Sequence, residues 1–74
     1  MLYILTDNYA GGTVCFDNET DFKQFVKDWK HNEIEKDGSI DYDCFTAYCY
    51  PDAKINISYD NYMKSTPDNQ ISLR

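Results

Sequence analysis

The stretch Asn18-Glu19-Thr20-Asp21-Phe22-Lys23-Gln24-Phe25-Val26-Lys27-Asp28-Trp29-Lys30-His31 decides the fold. Phe22, Phe25, Val26 and Trp29 stand at i, i+3, i+4 and i+7, so all four lie on one face of a helix. Lys23, Lys27, Asp28 and Lys30 occupy the rest of the surface. Asn18 to Asp21 supply capping side chains and early acids, which satisfy free backbone N–H groups and suit the positive end of the helix dipole. The spacing predicts a helix over Thr20–His31. Burying its four apolar residues contributes roughly 6–12 kcal/mol before conformational entropy is subtracted.

Before the helix, Leu2–Thr6 is short, apolar and β-prone, and Thr13–Phe16 is a second such run. Between them Asp7-Asn8-Tyr9-Ala10-Gly11-Gly12 has the Asn and Gly content of a turn with positive φ. Together they predict an N-terminal hairpin. After the helix, Asp37-Gly38 reads as a turn or a helix stop. Ile40, Cys44, Phe45, Tyr48 and Cys49 fit a helix, while the Tyr, Phe, Thr and Ile content also favours a strand. The spacing is read as a short helix over Asp41–Cys49, with a strand as the alternative, ended by Pro51. Ala53, Ile55, Ile57 and Tyr59 alternate with polar residues, the pattern of a half-buried strand. Asn61–Lys64 reads as one helical turn, and Ser65 onward as a frayed, mobile tail with a short strand at Ile71–Leu73. The expected class is α+β in a single domain: a hairpin, one long amphipathic helix, a short helix or strand, and a further strand on the same small antiparallel sheet.

A chain of 74 residues buries only about 60% of its unfolded surface, which leaves a margin of a few kcal/mol and little room for a deep substrate cavity. Seven Tyr, four Phe and one Trp offset the short length, because each aromatic ring buries on the order of 150–250 Å². Thirteen acids against seven bases give a net charge of −6. An anionic surface argues against direct contact with nucleic acid or anionic lipid, both of which need Lys and Arg to neutralise phosphate. It suits basic protein surfaces, including those that hold DNA or RNA. No apolar run approaches the roughly 20 residues of a membrane span. Met1–Asp7 has neither the basic lead nor the apolar length of a signal peptide. Three cysteines, Cys15, Cys44 and Cys49, make an odd count that fits reduced thiols in a cytoplasm better than a disulfide framework.

The acids are concentrated. Residues 33–52 hold Glu33, Glu35, Asp37, Asp41, Asp43 and Asp52 against Lys36 alone, which leaves −5 of the chain's −6 in that segment. Neighbouring carboxylates there lie within about one Debye length, roughly 8 Å, and repel by a few tenths of a kcal/mol per close pair. One reading is a solvated face that keeps the domain soluble. The other is a phosphate-mimicking patch for a basic groove. Tyr42, Tyr48 and Tyr50 are interleaved with these acids, and aromatic anchors beside charge are typical of interface hot spots. The expected partner-binding set is therefore Glu33, Glu35, Asp37, Asp41, Tyr42, Asp43, Tyr48, Tyr50 and Asp52.

Other chemistries fit less well. Residues 33–44 overlie a twelve-residue EF-hand loop, with Gly38 at the turn glycine, Ile40 at the hydrophobic position and Glu35, Asp37 and Asp41 at ligand positions. Position twelve, which should supply a bidentate Glu, is Cys44. Cys44 and Cys49 with His31 do not reach zinc spacing. A Cys paired with His31 is the only nucleophilic scheme, and no phosphate loop or hydrolase motif is present. The expectation is no enzyme, no cofactor and no metal.

Tyr3-Ile4, Asn8-Tyr9, Gly11-Gly12, Phe16, Asp21-Phe22, Tyr42-Asp43 and Tyr48-Cys49-Tyr50-Pro51 occur in an order that resembles one domain of the ArdA family of antirestriction proteins. More broadly the chain is similar in type to the small acidic phage proteins that inhibit host defences, anti-CRISPR proteins among them. The resemblance implies a DNA-mimicking inhibitor in the bacterial cytoplasm, acting on a host defence complex with a basic nucleic-acid-binding surface. The rival is a small interaction module with an apolar interface, a homodimer formed through strand edges or spare aromatics.

Overall fold

The computed structural model describes residues 1–51 and 69–74. Four antiparallel strands form one sheet: β1 (Leu2–Asp7), β2 (Thr13–Phe16), β3 (Phe45–Tyr50) and β4 (Gln70–Ile71). The strand order is β2-β1-β3-β4. Among these residues a single long helix, α1 (Glu19–Asp37), packs on one face, and a 3₁₀ turn, Tyr42–Cys44, leads into β3. The class is α+β, as the sequence predicts.

β1 lies between two partners, with Leu5 opposite Val14 on one side and Ala47 on the other. Leu2, Tyr3, Ile4 and Leu5 are all buried. Four consecutive buried residues mean that both faces of the strand are covered, because side chains alternate across a sheet. Tyr3 and Leu5 belong to the cluster that holds Phe22, Ala47 and Leu73, on the helix side. Leu2 and Ile4 belong to the opposite cluster, with Tyr50, Cys15 and Tyr48.

The helix-side layer is built from rings. Tyr3 stacks on Phe22 at 4.5 Å between centroids, and Phe16 meets Phe25 at 5.4 Å. Trp29 sits edge-on to Phe45 at 5.2 Å and to Tyr42 at 6.1 Å. Such offset and edge-to-face pairs add about 0.5–1.5 kcal/mol each beyond the area they bury.

The helix begins where expected. The Asn18 side chain accepts from the Asp21 N–H at 2.8 Å. It ends later than the predicted His31, continuing to Asp37, where Gly38 at φ 76° donates its N–H to the Ile34 carbonyl. Its last two turns bury little and so carry no apolar period, yet Glu, Lys and Ile propagate a helix until a left-handed residue stops it. The EF-hand template is thereby lost, because Glu33, Glu35 and Asp37 are helical.

The helix expected over Asp41–Cys49 is instead one 3₁₀ turn followed by β3. The Asp41 side chain accepts from the Asp43 N–H at 3.0 Å and caps only that turn. Beyond it Phe45, Ala47 and Cys49 reach the helix side while Tyr48 and Tyr50 join the opposite cluster. The short strand expected at Ile71–Leu73 is present as β4, shifted to Gln70–Ile71. β4 pairs with β3 through Ala47–Ile71 and Tyr48–Gln70, and Leu73 is buried. The strand expected at Ala53–Tyr59 and the turn at Asn61–Lys64 lie outside the described residues.

Phe22 is the one buried residue of α1. Phe22→Ala should cost about 3–5 kcal/mol, which consumes most of a small domain's margin, while Phe22→Leu should cost clearly less. Urea denaturation followed by circular dichroism measures both. A wild-type midpoint for Phe22→Ala would mean that the helix does not hold the sheet.

Candidate functional site

The β1–β2 turn, the end of α1 and the 3₁₀ turn assemble at one end of the sheet. Asp7 organises the first: its Oδ1 accepts from the Tyr9 and Ala10 N–H groups, each at 2.9 Å. Its own N–H donates to the Gly12 carbonyl, and Gly11, at φ 78°, donates back to the Asp7 carbonyl. The turn is tied to β3 by Asn8. The Asn8 N–H donates to the Cys44 carbonyl at 2.9 Å, and its Nδ2 donates to the Asp43 carbonyl and to Thr46 Oγ1. Tyr9 closes the arrangement, its hydroxyl donating to Asp41 Oδ2 at 2.7 Å.

These bonds set the local electrostatics. The backbone N–H groups of Ala10 and Tyr9 hold the Asp7 carboxyl below its ordinary value. The Tyr9 hydroxyl, then the Asp43 N–H, does the same for Asp41. In return the Asp41 hydrogen bond pushes Tyr9 up to about 12. Burial pushes the Cys44 thiol up, with the nearby charges of Asp41, Glu33 and Asp7 acting in the same direction. That is the reverse of the depressed value that an activated cysteine nucleophile requires.

Three acids of the expected set meet here: Glu33 of α1 beside Cys44, with Asp41 and Asp43 on the 3₁₀ turn; Asp37 follows Glu33 one turn later on the same face of the helix. Asp7 joins them, unforeseen. Among the described residues none of these five pairs with a Lys or Arg; the ion pairs present are Lys23–Glu19 and His31–Glu35. Glu35 is set apart, two residues from Glu33 and so on another face, 3.4 Å from His31. The expected aromatic anchors do not join the acids as a group. Tyr48 and Tyr50 lie in the cluster on the side of the sheet away from α1, where Tyr50 is only 8% exposed. Tyr42 packs on Trp29. Tyr9, 69% exposed, is the aromatic residue that stands among the carboxylates. Asp52 lies outside the described residues. Among the described residues no group of three or more His, Cys, Asp and Glu side chains is placed to hold a metal ion.

A second charged surface borders the other half of α1. Between α1 and the segment Ser72–Arg74 runs a groove of about 370 Å³, floored by Phe22, Val26 and Leu73 and rimmed by Lys23, Lys27, Lys30 and Arg74. The Arg74 guanidinium carbon lies 4.6 Å from the Tyr42 ring centroid and Lys30 Nζ lies 5.6 Å from it. Four of the chain's seven cations therefore line one groove. Lysines at i, i+4 and i+7 signal such a stripe, whereas nothing in the sequence brings Arg74 to it.

No helix among the described residues is long and apolar enough to cross a membrane. Comparison with protein-family models, curated proteins and solved structures finds no match.

The sign of the pH dependence follows from these shifts. Asp7 and Asp41 are lowered in the fold, so their contribution is present above the unfolded carboxylate value of about 3.9 and is lost as pH falls through the lower folded values. Tyr9 is raised, so its contribution is present below about pH 10 and is lost as pH rises through about 12. Carbon-13 NMR of the Tyr9 ring should show titration near 12, and Asp41→Asn should return it toward the free-tyrosine value of about 10. A wild-type Tyr9 titrating near the free value would show that the bond to Asp41 is not made in solution.

Proposed function

We propose that this domain is a non-enzymatic inhibitor whose acidic end docks on the basic, nucleic-acid-binding surface of a host defence protein in the bacterial cytoplasm, as anti-CRISPR and antirestriction proteins do. The carrying observation is the gathering of Asp7, Glu33, Asp41 and Asp43 at one end of the sheet, with Asp37 one helical turn beyond Glu33, and no Lys or Arg partner for any of them among the described residues. Like charges held close together cost folding free energy, and a positively charged partner is the surface against which that cost is recovered. The end is also braced by hydrogen bonds. Asp7 and Asp41 spend their oxygens on backbone N–H groups and on Tyr9, and Asn8 fixes the 3₁₀ turn to the hairpin. A surface held in shape before binding loses less freedom on association.

The roles divide by geometry. Glu33, Asp37 and Asp43 are the acids offered to the partner's phosphate-binding cations. Asp41 and Asp7 position the loops as well as adding charge. Exposed Tyr9 supplies a ring for stacking on Arg, the part the sequence reading gave to Tyr42, Tyr48 and Tyr50. The cluster is sparser than a duplex backbone, which carries one charge per roughly 1.7 Å, so it occupies a short phosphate-binding site and not a long DNA channel.

Expression in bacteria that carry a defined restriction or RNA-guided nuclease system tests the proposal through the plating efficiency of a targeted phage. Wild-type protein should restore plating against at least one system. Glu33→Lys/Asp37→Lys/Asp43→Lys should lose that protection by about tenfold or more, since like-charge juxtaposition across an interface costs several kcal/mol. The purified pair should dissociate as salt rises. Protection undiminished by the triple reversal, or absent against every system, overturns the reading.

A further inference from the structure

The groove beside α1 and the far end of the same helix are complementary to each other. At about 100° per residue, Lys23, Val26, Lys27, Lys30, Glu33, Ile34 and Asp37 fall in one stripe roughly 120° wide. Its first half is basic, bordering the groove of Phe22, Val26 and Leu73. Its second half is acidic and carries Ile34, an aliphatic side chain left 53% exposed. A stripe that is positive over its first half and negative over its second, with Val26 set among the cations and Ile34 among the acids, matches a copy of itself turned end for end.

We propose that two copies of this chain associate through α1 packed antiparallel on α1, about a two-fold axis near Lys30. This geometry sets Lys23 and Lys27 of one copy against Asp37 and Glu33 of the other. Ile34 then lies over Val26 at the edge of the groove, and every contact is made twice by symmetry. Lys30, which would face its own counterpart at the axis, leans toward Tyr42 instead. The two helix dipoles oppose, which favours the pairing further. The occupant of the groove is thus a second copy, chosen by charge and by the placing of Ile34 between Glu33 and Asp37. The inference does not rest on the inhibitor proposal, but it bears on it: the dimer covers Glu33 and Asp37 and leaves Asp41 and Asp43 exposed, so self-association and target binding compete.

Sedimentation equilibrium of the full chain across protein concentration, at about 20 mM and about 500 mM salt, provides the test. Wild type should dimerise at low salt and dissociate at high salt. Lys23→Glu/Lys27→Glu alone should be monomeric, as should Glu33→Lys/Asp37→Lys alone, each raising the dimer dissociation constant by at least about tenfold. An equimolar mixture of the two variants should dimerise again, because opposite charges then face each other at both symmetry-related contacts. Lys23→Glu gives up the ion pair with Glu19, whereas Asp37→Lys suits the end of the helix dipole, and circular dichroism checks that both variants fold. A wild type that stays monomeric at low salt, a mixture that stays monomeric, or variants that dimerise alone as wild type does would each overturn the proposal. Phage plating with Lys23→Glu/Lys27→Glu, whose acidic end is intact, separates failure of the dimer from failure of the inhibitor reading.

Discussion

The contact on which the rest of the molecule depends is the seam of rings between α1 and the sheet. Tyr3 lies flat on Phe22, Phe16 bridges Phe22 and Phe25, and Phe45 bridges Phe25 and Trp29. Each ring belongs to a different element or a different helical turn, so the seam fixes the helix in both angle and rotation. A small aliphatic core would bury less area per residue and leave a chain of this length short of stability. Large flat side chains supply area with few rotatable bonds, which reduces the entropy lost on ordering them.

Rotation of the helix then determines where charge goes. With Phe22, Phe25, Val26 and Trp29 turned to the sheet, Lys23 and Lys27 come to border a groove and Glu33 comes to lie near Cys44. The hairpin turn and the 3₁₀ turn bring in Asp7, Asp41 and Asp43, held by hydrogen bonds that use the acids' own oxygens. The molecule is polar in the electrical sense, with one flank rich in cations and one end rich in carboxylates. The two meet near Tyr42, where Arg74 and Asp43 line one pocket. Both functional readings begin from that segregation.

Much of the fold was readable in the residues. The i, i+3, i+4, i+7 set gave α1 its start and its buried face, and Asp7–Gly12 gave the hairpin, because caps and turns depend on local chemistry. The segment after Gly38 was not readable in the same way. Phe45–Tyr50 is covered on both faces, and a strand apolar on both faces shows no alternation by which to tell it from a helix. The acids were legible as a group in sequence but not in space. Glu35 turns away because successive helical residues point about 100° apart, and Tyr48 and Tyr50 turn away because strand residues alternate. Asp7 and Tyr9 are turn residues by sequence, and the pairing of β1 with β3 carries them to the acids. Arg74 reaches the groove through tertiary packing alone.

Leu73 completes a core whose first members are Tyr3 and Leu5, at the opposite end of the chain. Contacts this distant in sequence form late and slow the search for the native state. During synthesis, at about 5–20 residues per second, the helix and hairpin can form early, but the layer beneath them stays unfinished until residue 73 has been added. A nascent chain that has not yet reached Leu73 therefore lacks part of its interior and offers hydrophobic side chains to chaperones and proteases instead of to α1.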